Sequence, residues 1–321
     1  MVRRVLAMVP DPLVRLLLLA ILLATVLPVR GSAREIANFV SSAAVFLLFF
    51  LNGLRLPRHE VVAGLRNARL LVPAVLWVFG AMALAGLGLS HLLDNSVPPL
   101  LALGFLFLGC LPSTVQSATA YVSLAGGNVA ASVVCAALNN ILAVFVTAPL
   151  FTLLAGGGEA AVDSSGFVKV ATILLLPFVL GQVAQRWAGG WVKEHRMLAT
   201  WMDRTSIAIA VYVAFSGAVV AGLWTMLALH DWAYVLAAIG AYLAFGFGGA
   251  WLLGGALGLE NRTRITLLFN GGQKSIAMGA PLASVMFPPA AAGMILVPIL
   301  VYHLLQLVLS APLANRVRGA D

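Results

Sequence analysis

Long apolar runs alternate with short polar interruptions along almost the whole chain. The runs fall near residues 12–29, 36–54, 69–92, 98–124, 128–154, 167–186, 205–226, 232–257, 264–288 and 290–313. A helix needs about 20 apolar residues to cross the hydrocarbon core of a bilayer, so the pattern predicts about ten transmembrane helices. The runs are continuous rather than alternating with period two, which excludes a membrane β-barrel. The expected fold class is therefore an all-α polytopic membrane protein.

Two runs are interrupted. The fourth contains Pro112, Ser113, Thr114, Val115, Gln116, Ser117, Ala118 and Thr119. The ninth contains Asn270, Gly271, Gly272, Gln273, Lys274 and Ser275. A polar connection at 156–166 divides the chain into residues 1–155 and 167–321, with five predicted helices on each side. An odd count per half makes the second half inverted relative to the first if the halves are repeats. The interrupted runs then correspond, each being fourth of five. Paired broken helices in inverted repeats point to a binding site near the bilayer midplane, where the two breaks cross.

Composition agrees: 62% of the 321 residues are hydrophobic and 9% are charged, against about 25% charged in soluble domains. The net charge of +8 does not indicate a nucleic-acid partner, because the basic residues sit at predicted helix ends. Arg3 and Arg4, Arg55 to Arg69, Arg186 to Arg204, Arg262 and Arg264, and Arg316 and Arg318 all fall on one side if there are ten spans. Asp94, Glu159, Asp163 and Asp231 fall on the other side, with Lys169; Arg30 and Arg34 dissent. The asymmetry places both termini in the cytoplasm. The first run reads as a transmembrane helix rather than a signal peptide, since no clear cleavage pattern forms before Arg34. Cys110 and Cys135 lie in apolar runs and read as small core residues, not as a disulfide.

Lys274 is the one normally charged residue expected at membrane depth. Its insertion costs roughly 2.5–3.5 kcal/mol, and such residues mark functional sites by default. Three roles are open. A fixed ammonium could replace a structural sodium ion, its three donors meeting freed carbonyls and the side chains of Gln116 or Asn140. A titrating amine could couple proton movement to transport. A direct ligand could hold an anionic substrate. The bland alternative is a side chain snorkelling to an interface.

The remaining polar candidates are Thr114, Gln116, Ser117, Thr119, Asn128, Ser132, Asn139, Asn140, Asn270, Gln273, Ser275 and His303. Hydroxyls and amides in membranes also serve as plain interhelical contacts, and a buried histidine is more often structural than a proton relay. Asn139 and Asn140 point about 100° apart on a helix, so at least one is expected to face the crossing. Gly246, Gly248, Gly249, Gly254 and Gly255 read as close-packing positions, since no strand precedes them to make a phosphate loop. No Cys/His cluster, nucleophile elbow or paired carboxylate appears, so no cofactor, metal centre or enzyme activity is expected.

The stretch Cys110 to Ser117, followed by Gly127, Asn128, Val129 and Ala130, resembles the fourth-to-fifth-helix signature of the bile acid:sodium symporter superfamily. Gln273, Lys274 and Ser275 resemble its ninth-helix signature. The lysine and the wording Pro112 to Ser117 are similar to the divergent branch that includes solute carrier family 10 member 7 and bacterial relatives. The resemblance implies ten helices in a core bundle and a panel bundle, with the broken fourth and ninth helices crossing at the substrate and ion site. It also implies a bacterial inner-membrane location.

Departures from the family matter. The ninth-helix glutamate that helps hold sodium corresponds to Phe269, and no carboxylate replaces it. The fourth-helix serine corresponds to Ser117, but the asparagine after it is Ala118. The fifth-helix serine corresponds to Ser132, but the threonine one turn later is Ala136. The asparagine after the ninth-helix glutamine is Lys274 itself. Ser117, Ser132 and Gln273 remain as weak sodium candidates, and coupling to two sodium ions is not expected. The leading reading is a secondary transporter of a small organic, anionic solute working by alternating access, with sodium or proton coupling open. The alternative is a non-transporting membrane regulator or scaffold with the same fold.

Overall fold

The computed structural model describes residues 11–55, 68–156 and 171–318. All regular structure among them is helical. The helices are α1 Pro12–Val26, α2 Ala33–Arg55, α3 Ala68–Leu93, α4 Pro99–Cys110, α5 Gln116–Leu124 and α6 Val129–Leu154. After the undescribed stretch come α7 Leu176–Glu194, α8 Arg196–Val220, the single turn α9 Leu223–Met226 and α10 Leu229–Ala256. Then follow α11 Asn261–Gly272, α12 Ile276–Met286 and α13 Pro289–Val317. Six of them (α2, α3, α6, α8, α10 and α13) are long and apolar enough to cross a membrane. The chain is an integral, multi-pass helical membrane protein.

The two interrupted runs are each occupied by two shorter helices with a non-helical break between them. In the fourth run the break follows Cys110, where Leu111 is extended at φ −77°, ψ 151°. Pro112 explains this, because its ring disfavours the helical region for the residue before it. In the ninth run Gln273 is extended at φ −97°, ψ 140°, directly after the weak helix formers Gly271 and Gly272.

One expectation is corrected. The basic stretch around 187–204 reads as a connection by its polarity, yet α7 continues to Glu194 and α8 starts at Arg196, with only His195 between them. Loss of apolarity marks the edge of the hydrocarbon, not the end of the helix, and Arg, Lys, Gln and Glu are good helix formers. The predicted connection at 156–166 lies outside the described residues beyond Gly156, as do Arg3, Arg4, Arg58, Arg66, Glu159, Asp163 and Lys169.

The helices cluster into two compact units, and each draws on both halves of the chain. One contains α1, α2, α7, α8, α9 and Ala280–Leu296. Within it α2 and α7 meet at reciprocal glycines: a Cβ on Gly53 would strike the carbonyl oxygen of Phe178, and one on Gly181 the carbonyl oxygen of Phe50. The side chains of Gln182 and Gln185 donate to the carbonyls of Gly53 (2.6 Å) and Leu54 (3.0 Å) near the end of α2. Arg55 pairs with Asp203 of α8.

The other unit contains α3 to α6, α10, α11 and the C-terminal part of α13. Here α3 carries a widened π-helical turn, Trp77–Ala81, in which the Met82 amide bonds back to Trp77 O. The Trp77 indole fills a slot left by Gly249 of α10 and Gly271 of α11 and stacks on Phe245 with ring centroids 5.1 Å apart. The glycines of α10 therefore act mainly as close-packing positions, with Gly254 and Gly255 against Arg264.

The glycine crossing yields a test. Gly181→Val should lower stability by roughly 1–3 kcal/mol through overpacking, read as a fall in thermal unfolding midpoint in detergent. Gly240→Ala, on a helix face with nothing within 4 Å, should cause no loss.

Candidate functional site

Within the second unit the two breaks touch: the Ser275 amide donates to Pro112 O at 2.9 Å. Helix α4 ends here with carbonyls that have no intrahelical partner. Lys274 satisfies two of them. Its Nζ donates to Gly109 O (2.8 Å), Leu111 O (2.8 Å) and, in the widened turn of α3, Val78 O (2.9 Å). Thr147 Oγ1 of α6 donates to the intervening Cys110 O at 2.9 Å. The ammonium thus sits at the negative C-terminal end of a helix, where a cation is favoured.

Lys274 is held by its own peptide. Gln306 of α13 receives the Lys274 amide on Oε1 (2.8 Å) and returns a bond from Nε2 to Lys274 O (3.0 Å). Gln306 Nε2 also donates to His303 Nδ1 at 2.8 Å, so the neutral ring carries its proton on Nε2. Tyr302 OH donates to Gly272 O (2.6 Å) at the end of α11, and Tyr242 OH to Met82 O (2.6 Å) just past the widened turn.

A second group surrounds Gln273. Its Oε1 accepts from Thr114 Oγ1 at 2.6 Å, and Ser117 Oγ lies 2.7 Å from the same oxygen. Its Nε2 donates to Ser310 Oγ of α13 at 2.9 Å. A third group joins Asn270 Nδ2 to Ser132 Oγ (2.9 Å) and Thr266 O (3.0 Å), with Thr119 Oγ1 3.2 Å from Ser132. Asn270 Oδ1 and Ser113 Oγ are buried and have no hydrogen-bond partner among the described residues.

The breaks therefore bring together Thr114, Ser117, Gln273, Lys274 and Ser275, and next to them Thr119, Ser132 and Asn270. Ser275 also accepts the Met278 amide (3.3 Å) at the start of α12. Other candidates hold the fold. Asn128 caps α6 by accepting the Ala131 amide at 3.0 Å. Asn139 is buried on α6 and points Nδ2 at Cys135 Sγ, 3.6 Å away.

The expected Lys274 partners are corrected. Gln116 is exposed, and Asn140 donates to Ser113 O (3.0 Å) and Ala136 O (2.8 Å) instead. Backbone carbonyls take all three ammonium donors: Gly109 O and Leu111 O are left free at the end of the broken helix, and Val78 O lies in the widened turn of α3. The snorkelling alternative also fails, since Lys274 is 1% exposed with its head bonded inside the unit. Phe269, where sodium-coupled relatives were expected to carry a glutamate, is fully buried and packs on the rings of Tyr121 (5.9 Å) and Phe247 (6.1 Å).

Sequence reading missed Tyr242, Thr147, Tyr302, Gln306 and Ser310. The last two carried a signal: His303, Gln306 and Ser310 are spaced i, i+3 and i+7, which places three polar residues on one face of an apolar helix.

The model of the SBF-like CPA transporter family matches residues 11–319. The chain belongs to this family. An uncharacterised protein of Pseudomonas aeruginosa is 39% identical over 96% of this chain and 92% of its own length. YfeH of Escherichia coli, named as a candidate symporter, is 35% identical over 95% of this chain and 92% of its own. Sodium/bile acid cotransporter 7 of Mus musculus is 24% identical over 91% and 86%. This SBF-like protein is accordingly a member of a transporter family and not an enzyme.

In this transporter-family member Lys274→Met should be strongly destabilising. It strands three buried carbonyls, each costing about 1–3 kcal/mol without a donor. The expected loss is on the order of 3 kcal/mol, measured by unfolding in detergent, and wild-type stability would refute the assigned role. Thr147→Val, which strands only Cys110 O, should lose about 1 kcal/mol.

Proposed function

We propose that this protein is a secondary transporter of a small organic, anionic solute, working by alternating access, with its site at the crossing of the two broken helices. Lys274 serves there as a fixed cation in the place of a structural sodium ion. The observation that carries this reading is the bonding of Nζ to Val78 O, Gly109 O and Leu111 O. An ammonium has three donors and a neutral amine only two, so this geometry favours the charged form and leaves no donor for a substrate anion. It thus favours the fixed cation over the titrating amine and over the direct ligand. The solute is read as anionic because a cation lies at the crossing and no carboxylate hydrogen-bonds within the three polar groups there.

Ten spans in two inverted five-helix repeats fit the grouping of the helices. The first unit takes the first two predicted spans of each half, and the second takes the other three, with the later part of the ninth and the start of the tenth assigned to the first unit. The breaks fall in the fourth span of each half. With the basic residues on one side, both termini are cytoplasmic, and the bacterial relatives support an inner-membrane location. The sodium named for the mouse relative is not carried over, because Phe269 removes the carboxylate that a conventional site would need.

The test is thermal stability of purified wild type and Lys274→Ala in sodium chloride against choline chloride. An ion that binds only the folded state raises stability by mass action. Sodium should leave the wild type unchanged and stabilise Lys274→Ala, by filling the vacated carbonyl cage. Equal stabilisation of both proteins would overturn the replacement reading. The stability difference between the two proteins should also hold steady from neutral to mildly alkaline pH. A difference that shrinks as pH rises would mean the lysine releases its proton in use, and would put proton coupling in its place.

A further inference from the structure

Two glycines of α10, Gly240 and Gly248, have open space beside them, and of the two Gly248 lines a groove. A glycine inside a helix costs roughly 0.5–1 kcal/mol relative to alanine. Gly246, Gly249, Gly254 and Gly255 all have close neighbours: Tyr302 and Met82, Trp77, and Arg264. A Cβ at Gly248 would meet nothing within 4 Å. The space beside it is an open groove of about 340 Å³ within the second unit, lined by Phe247, Gly248, Trp251, Leu268, Leu313, Val317 and Arg316. Every lining side chain is apolar or aromatic except Arg316, in the last turn of α13. Arg316 is exposed and enters no ion pair among the described residues. A second guanidinium, that of Arg264, lies 3.8 Å over the same Trp251 indole.

We propose that this groove is a binding site for one acyl chain of an anionic phospholipid, with Arg316 holding the phosphate. The occupant follows from the two-part chemistry of the site. A polar anion would leave the apolar lining unused, and a neutral hydrocarbon would leave the unpaired guanidinium unused. A phospholipid with an anionic headgroup uses both. Basic residues at the ends of membrane helices attract anionic headgroups, and aromatic residues such as Trp251 favour the same headgroup level. The missing side chain at Gly248 leaves the room in which the chain lies.

The experiment compares wild type, Gly248→Leu, Arg316→Gln and Gly240→Leu, purified in neutral detergent. Phosphatidylglycerol or phosphatidylcholine with identical chains is added, and bound lipid is counted by native mass spectrometry alongside the thermal midpoint. Wild type should retain and be stabilised by phosphatidylglycerol more than phosphatidylcholine. Arg316→Gln should bind phosphatidylglycerol about tenfold more weakly, the loss of one charge-assisted hydrogen bond, and lose the preference between the two lipids. Gly248→Leu should lose the response to both, because the leucine fills the groove, while Gly240→Leu on the open face of the same helix behaves as wild type. If Gly248→Leu does not fold, Gly248→Ala and Arg316→Gln decide the question by the lipid count alone. The proposal is overturned if wild type shows no preference for phosphatidylglycerol, or if Arg316→Gln or a folded Gly248→Leu responds as wild type does.

Discussion

A helix broken inside an apolar surrounding leaves carbonyl oxygens that water cannot reach, and this constraint organises the second unit. Pro112 ends α4 at Cys110 by forcing Leu111 out of the helical region. The carbonyls of Gly109, Cys110 and Leu111 must then find donors from elsewhere in the fold, since each buried oxygen left bare costs about 1–3 kcal/mol. Lys274 and Thr147 supply them. The lysine also reaches Val78 O, which lies in the widened turn of α3. One side chain thereby ties together α3, the end of α4 and the break after α11.

Magnitudes show why a lysine is tolerated at this depth. Insertion of the charge costs roughly 2.5–3.5 kcal/mol. A hydrogen bond to a charged group contributes about 1.5–3 kcal/mol, so three of them outweigh the insertion cost before the favourable helix end is considered. The ammonium therefore has no need of a carboxylate partner, and its three hydrogen bonds all go to backbone carbonyls. Without the lysine the three carbonyl oxygens would remain and face one another with no donor. On the reading proposed above, a sodium ion and an ammonium are alternative solutions to one unmet set of carbonyl acceptors, and the helix-end carbonyls rather than a carboxylate at position 269 face the ammonium.

Much of the fold was legible because hydrophobic run length reports membrane depth directly. The paired interruptions were legible for a different reason: Pro112 and the pair Gly271 and Gly272 are helix-breaking residues in runs that otherwise have none. What polarity could not report was helix length beyond the hydrocarbon, and so α7 and α8 extend through the basic stretch that reads as a loop. Lys274 was legible by its charge, and Thr114, Ser117 and Gln273 by their clustering. The partners of the lysine were not. Val78, Gly109 and Leu111 contribute backbone oxygens, which any residue type would present, and the widened turn at Trp77–Ala81 has no side-chain signature as clear as a proline. Gln116 illustrates the converse: it is a polar residue in the right motif, yet it is exposed while the next residue, Ser117, reaches Gln273.

The glycines of α10 show a limit of the same kind and what lifts it. In the sequence Gly246, Gly248 and Gly249 are equivalent, three small residues in one apolar span. Their functions separate only when the space beside each is known. Gly249 is small because Trp77 occupies its Cβ position, and Gly246 because Met82 and Tyr302 stand close. Both are explained by packing, and a larger residue at either would push against another helix. Gly248 has no such neighbour, so packing within the chain supplies no reason for its small size, and a residue of higher helix propensity would cost nothing in contacts. Empty space alone does not distinguish it, since Gly240 has the same. What does is the groove, where Gly248 lies between Phe247 and Trp251 with Arg316, which has no ion-pair partner among the described residues, in the same lining. The occupant proposed for it comes from outside the chain.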